Sequence, residues 1–458
     1  MAEDLTSSRC RKKGVVKISV FRPIYYLGCK NSFIAAITSA IDEVDPSGGH
    51  VCDLFSGSGV VGAALSRGRQ VTSVDVQEYS RVLSSALMSP YPLSTKHCSS
   101  IAYDLALAIS KSPVLRRIQP LVNYENACIS NAAAGDFQGL VELLEASPIG
   151  SESHNNPNSD SILEAVRAEV VENLKRDGTW NGPETMVLRH FGGIYFSYEQ
   201  AAVLDAVLDL VERSAQAQQD TLKAAVLSTA SALVNTVGKQ FAQPIRPRNK
   251  DGSPKVGVIK LIQRDRTLNA LDVFNGWLAR YGNIPRGPFP TAALRDDYAE
   301  ALSKHGKNFA VVYADPPYTR DHYSRFYHVL ETLSLRDNPT VSRVVKNGKR
   351  EWSRGYYREE RHQSPFCIRS TATAAFESLF KMARESDVGL VLSYSPHEAG
   401  DGTHPRVVST SQITELANLY YRKVVVSRID GVTHNQLNRS DLKLKSREHA
   451  EIIIKCFR

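Results

Sequence analysis

The sequence predicts an α/β protein, with a doubly wound sheet domain split by a long, mainly helical insertion and finished by an antiparallel pair of strands. Three observations lead there. Short apolar runs rich in β-branched and aromatic residues alternate with helical patterns near both ends of the chain. Three of those runs end on or just before an aspartate: Asp53, Asp75 and Asp315. Between the second and third runs the pattern is helical. On this reading residues 20–90 and 290–458 form the sheet domain and 91–289 the insertion, with 1–19 a basic arm.

Bulk properties frame the partners. A chain of 458 residues with 42% hydrophobic content can bury a sizeable core. The formal charge of +8 and pI near 9.0 lean towards a polyanionic partner. The seven cysteines are scattered, odd in number and without Cys-x-x-Cys spacing. That argues against a zinc site or a disulfide framework, so no metal is expected, and the expected compartment is a reducing cytoplasm. The first twenty residues have no apolar core of a leader, and no run is long enough to span a membrane.

In chain order, Pro23 to Lys30 reads as a turn feeding a helix over Phe33 to Val44, with Asn31 or Ser32 as its cap. Tyr25, Tyr26, Gly28 and Lys30 in that turn suit a small ligand carrying a ring and a carboxylate, although an ordinary helix start would look the same. Val51-Cys52-Asp53 is a short strand running into the glycine turn Leu54-Phe55-Ser56-Gly57-Ser58-Gly59 and a helix from Val60 to about Ser66. Gly57 and Gly59 let backbone approach a ligand closely, and Asp53 can take its ammonium or hydroxyl groups. The third glycine of a dinucleotide fingerprint is lacking, which speaks against NAD. Gln70 to Val74 is a second strand, and Asp75 at its tip is placed to grip ribose hydroxyls.

The insertion carries helical patterns over Tyr198 to Arg213 and Thr221 to Val237. A Pro/Gly-punctuated loop follows, in which Lys239, Arg246 and Arg248 beside Phe241 suit a nucleic-acid backbone. Asp297-Tyr298 next pairs an acceptor for a cofactor amino group with a ring to pack on it, or else opens a helix rich in acid. The apolar run Asn308 to Ala314 then stops on Asp315-Pro316-Pro317-Tyr318. These four residues suit methylation of an exocyclic amine on a flat heterocycle. The Asp315 carboxylate and Pro316 carbonyl can accept both amino hydrogens, the prolines hold the turn rigid, and Tyr318 offers a stacking face. Past them, His322 or His328 can touch substrate, although a satisfied structural histidine is the commoner case. Arg350, Arg354, Arg358 and Arg361 are interleaved with Trp352, Tyr356 and Tyr357 in a cationic loop expected to meet DNA. Gly389 to Pro396 is a further buried strand, and Arg422 to Ile429 with Ala450 to Phe457 make the terminal pair.

These motifs resemble those of the Dam-like (alpha-class) DNA adenine-N6 methyltransferases. Asp315-Pro316-Pro317-Tyr318 is similar to that family's catalytic motif, and Phe55 to Gly59 to its S-adenosylmethionine loop. Tyr25 to Lys30 resembles its N-terminal cofactor motif, and Asp297-Tyr298 the motif that cups the cofactor adenine. The order matches too, with cofactor motifs first, a long insertion next and the catalytic tetrad after it. The resemblance implies a Rossmann-like S-adenosylmethionine-dependent methyltransferase fold whose insertion reads the target. It also implies an adenine flipped from double-stranded DNA, and a restriction-modification or phage-defence setting with possible restriction or defence-system partners. Cytosine-N4 methylation is the alternative reaction, and a non-catalytic DNA-binding homologue the alternative without one.

Overall fold

The computed structural model describes residues 21–28, 30–151, 161–318, 323–346, 348–395, 406–430 and 449–458. The basic arm, Cys29, His322 and most of the loop expected between the terminal strands lie outside them. Nine strands are present among the described residues: β1 (Val51–Leu54), β2 (Val71–Asp75), β3 (Thr291–Arg295), β4 (Val311–Ala314), β5 (Arg343–Lys346), β6 (Lys349–Trp352), β7 (Gly389–Tyr394), β8 (Lys423–Asp430) and β9 (His449–Phe457). Seven form one sheet in the order β3-β2-β1-β4-β7-β9-β8, and β5 and β6 make a separate antiparallel hairpin.

In the large sheet β3, β2, β1, β4 and β7 run parallel, and β9 pairs antiparallel with β7 on one side and β8 on the other. From β1 the order runs outward to β2 and β3 in one direction and to β4 and β7 in the other. β1, β4 and β7 are buried along their whole length, as near-continuous apolar strands of a parallel sheet should be. Their side chains alternate between two cores. Cys52, Leu54, Val312, Ala314, Leu390 and Leu392 meet helices Tyr298–His305, Ala372–Glu385 and Thr410–Tyr420. Val51, Val311, Tyr313 and Val391 meet helices Ile34–Val44 and Val60–Leu65 on the other face.

Between β2 and β3 the chain is helical, from Thr95–Lys111 to Ala270–Gly282. Its centre is the buried helix Gln216–Leu233, held beside Tyr198–Arg213, whose start is a reciprocal capping box of Ser197 and Gln200. The apolar core of this block continues into helices Glu78–Met88 and His328–Leu335 without a break. Polar ties reinforce that seam. Glu331 accepts from the backbone N–H groups of Glu78 and Tyr79, at 3.1 and 3.0 Å, and Arg81 forks onto Asp220 at 2.7 and 2.8 Å.

Two local expectations are revised. The helix after the N-terminal turn starts at Ile34, preceded by a 3-10 turn over Lys30–Ser32, and Phe33 rather than Asn31 or Ser32 holds the cap position, with no side-chain cap bond. The residues before Asp297 form β3, an edge strand too weakly apolar to stand out. Among the described residues, no helix is long and apolar enough to cross a membrane.

Candidate active site

The carboxyl ends of β1, β2 and β4 lie side by side, since Asp53 is in register with Ser73 on β2 and Tyr313 on β4. Beyond them opens a crevice, where the strand order turns outward in both directions from β1. That is where ligands of open α/β sheets sit. Asp53, Asp75 and Asp315 all line it, together with the glycine turn, the Tyr26–Lys30 turn, Asp297-Tyr298 and the tetrad.

The glycine turn is shaped by two close approaches. Gly57 has φ +54°, and a Cβ there would fall 2.5 Å from the Tyr26 hydroxyl. Tyr26 itself is stacked on Tyr327, with centroids 4.8 Å apart. Phe55 takes φ +63°, a left-handed conformation that costs a non-glycine residue strain and is concentrated at functional sites. The second approach is at Gly62, where a Cβ would lie 2.3 Å from Ser73 Oγ and 3.0 Å from Asp53 Oδ2. Gly62 donates its N–H to Asp53 Oδ2 at 3.0 Å, and Ser73 Oγ donates to the same oxygen at 3.4 Å. Burial pushes the Asp53 carboxyl up to about 7 despite these bonds, with Asp315 and Asp75 adding to the rise. Asp75 receives the N–H groups of Gly57 and Gln77, both at 2.9 Å, so its carboxylate fixes the turn and faces the crevice at once. Gly59 is not on the lining; it packs behind, against Ser84.

On the far wall Phe55, Tyr298 and Phe366 form an aromatic sleeve, with centroid separations of 5.9, 5.3 and 5.2 Å. Phe366 was not legible as a site residue, being one aromatic in a cationic stretch, and Pro365 and a 3-10 turn over Pro365–Cys367 deliver it. Asp297 caps helix Tyr298–His305 by accepting from Ala299 N at 2.9 Å, and it also lines the crevice.

At the tetrad the Asp315 carboxylate lies 3.1 Å from Lys30 Nζ, and that ammonium is 2.7 Å from Glu451 Oε1 on β9. Lys30 and Glu451 are buried. The Lys30 ammonium loses hydration, which lowers its pKa, but the two carboxylates more than reverse this and hold it charged. The Tyr318 ring packs edge-on to Tyr394 at 5.1 Å, the Arg406 guanidinium lies 4.5 Å from its centroid, and burial raises its hydroxyl pKa, so it stays neutral. Tyr25 is not part of this assembly. It is 41% exposed, with Arg22 over its ring, because its backbone N–H is drawn to Ser231 Oγ.

The expected DNA cations divide into two groups. Arg246, Arg248 and Arg354 are exposed and, with Lys250 and Lys255, line one concave patch whose single carboxylate among the described residues is Glu145. Arg350 is exposed on the β5–β6 hairpin. Arg361 donates to the Arg358 carbonyl at 2.7 Å and stacks its guanidinium 5.0 Å from the Tyr357 centroid. Lys239 and Arg358 are corrections. Lys239 Nζ is consumed by the Ala232 and Val234 carbonyls, at 2.8 and 2.9 Å, and by Asp265 at 3.0 Å, finishing the long buried helix. Arg358 is buried and forks onto Asp337 at 2.7 and 2.5 Å. His328 likewise turns inward: it is buried, pairs with the Phe241 carbonyl at 3.0 Å, and burial lowers its pKa to about 3.

A mainly parallel sheet thus brings acidic strand ends, a glycine turn and an Asp-Pro-Pro-Tyr tetrad to one crevice. Residues 26–107 and 291–388 match the family model of the D12 class of N6 adenine-specific DNA methyltransferases. A relative, the modification methylase LlaI of Lactococcus lactis subsp. lactis, is 31% identical over 149 residues. That alignment takes in 31% of this chain and spans only 20% of the relative's length. No solved structure matches the chain.

Proposed function

We propose that the protein is a site-specific DNA adenine-N6 methyltransferase that uses S-adenosylmethionine to methylate an adenine flipped out of duplex DNA. The observation that carries this is the convergence of Asp75, the Gly57 turn and the Asp315–Tyr318 tetrad on one crevice. The donor set fits the cofactor. Asp75 suits ribose hydroxyls, the Phe55–Tyr298–Phe366 sleeve suits an adenine ring, and the Asp53 carboxylate suits an ammonium. Gly57 leaves backbone where a side chain would intrude. When bound, S-adenosylmethionine supplies an electrophilic methyl group on a sulfonium.

The chain's own part is positioning and electrostatics. The Asp315 carboxylate and Pro316 carbonyl accept the two amino hydrogens of the target base, turning its nitrogen lone pair towards the cofactor side of the crevice. Tyr318 stacks on the base, and the two prolines place no competing donor beside it. The exposed cations Arg246, Arg248, Lys250, Arg350 and Arg354 suit the phosphates of the duplex. The strand order around β1 supports the doubly wound reading, and the helical block between β2 and β3 supports an inserted recognition domain over about 91–289. The relative's name, a modification methylase, favours a restriction-modification setting. Cytosine-N4 methylation is the second reading, since the amine geometry is alike; the family match favours adenine.

Incubation with labelled S-adenosylmethionine and duplex DNA, followed by digestion to nucleosides, tests the reading. Label is expected in N6-methyladenine. Label in N4-methylcytosine, or none in DNA, overturns it. Asp315→Ala should abolish transfer while cofactor affinity changes little.

A further inference from the structure

The tetrad has a charged neighbour that no motif contains. Glu451 sits near the start of β9, paired with Ile429 of β8, one residue before the Tyr394–Ile452 pair with β7. Because β9 runs antiparallel to β7, its first residues arrive at the carboxyl ends of the parallel strands, beside the crevice. The side chain is fully buried and 421 residues from Lys30 in the chain, yet the two are 2.7 Å apart. Lys30 Nζ therefore stands between two carboxylates, Asp315 at 3.1 Å and Glu451 at 2.7 Å.

We propose that Glu451 is a positioning residue for the tetrad, acting through Lys30 to keep Asp315 a strong hydrogen-bond acceptor. The inference rests on the methyltransferase reading above and deepens it. An ammonium paired with Asp315 alone would anchor that carboxylate but would also neutralise it, weakening its hold on the amino hydrogens of the base. Shared with a second, buried carboxylate, the same ammonium anchors Asp315 while the Lys30–Asp315–Glu451 group keeps a net charge of minus one. Leaving either charge of such a buried pair uncompensated is costly, so Lys30 and Glu451 are coupled.

That arithmetic sets the test. Glu451→Gln keeps the shape and an oxygen for Lys30 but leaves the trio neutral; Lys30→Gln makes it doubly negative; the double variant restores minus one. Single-turnover transfer to duplex DNA should fall about tenfold or more in Glu451→Gln, the scale on which outer hydrogen-bonding partners of a reactive group act. Cofactor affinity, measured by calorimetry, should change little. The double variant should transfer faster than Lys30→Gln alone, and its urea midpoint should exceed that of Lys30→Gln. A residue that merely filled space would give additive losses in both readouts. An active wild type with Glu451→Gln equally fast, or additive losses throughout, overturns the role of Glu451 and leaves the methyltransferase reading intact. A wild type that transfers no methyl group to DNA overturns the reading itself, and the role with it.

Discussion

Asp53→Asn should stabilise the protein without cofactor and weaken its hold on cofactor. Asp53 is 1% exposed, and burial lifts its carboxyl from the ordinary 3.8 to about 7. A raised folded-state value means a contribution to stability that is fully present below about pH 4 and lost as pH rises through 7, because the fold prefers the protonated form. Over that interval the cost of the buried charge grows to about 4 kcal/mol, at about 1.4 kcal/mol per tenfold change in proton affinity. Asparagine keeps an oxygen for the Gly62 N–H and carries no charge, so it escapes most of this cost. The expected gain is about 2–4 kcal/mol at pH 8 and under about half of that at pH 5, where Asp53 is already protonated when folded. Urea unfolding followed by circular dichroism at the two pH values measures it. Cofactor affinity, by calorimetry, should fall about 10- to 100-fold, the worth of one charge-assisted hydrogen bond to an ammonium. A variant less stable than wild type at pH 8, or one whose gain is equal at pH 5 and pH 8, would refute the reasoning.

Two further outcomes separate binding roles from structural ones. Gly57→Ala places a Cβ 2.5 Å from the Tyr26 hydroxyl at φ +54°, so it should cost about 1–3 kcal/mol of stability and most cofactor affinity; normal binding in calorimetry would remove the turn from the site. Arg354→Ala should leave stability within about 0.5 kcal/mol and lower the salt slope of DNA affinity by about one, whereas Arg358→Ala should cost about 1–3 kcal/mol of stability by removing a buried side chain and its bonds to Thr332 and Asp337. Fluorescence anisotropy across a salt series and urea unfolding tell the two apart.

The parts of the site that sequence alone made visible are those set by local chemistry. Asp53, Asp75 and Asp315 end apolar runs, and a run that stops on a carboxylate reads as a strand tip whatever surrounds it. The terminal antiparallel pair was legible for the same reason, since β8 and β9 are continuous β-rich runs. What escaped depends on distant partners. Gly62 looks like any helical glycine until Ser73 and Asp53 close over it. Phe366 becomes part of the site only because β1 and the helix from Tyr298 bring Phe55 and Tyr298 to it. Charge was the least legible feature, because a lysine or arginine in a loop shows nothing of its acceptors: Lys239 and Arg358 had the same look as Arg246 and Arg354, and only the fold reveals two of them as internal ties.

The order β7-β9-β8 has a consequence for how the chain comes together. β8 leaves the ribosome before β9, yet it reaches the sheet only through β9, which fills the slot between it and β7. Until that insertion the outer rim of β7, with its unsatisfied backbone groups, is an open template for another chain. The carboxylate that partners Lys30 arrives with the same strand. Completion of the sheet and completion of the ion pairs around Lys30 are thus one event, and a nascent molecule that has made its glycine turn and its tetrad still lacks the carboxylate of Glu451 beside them.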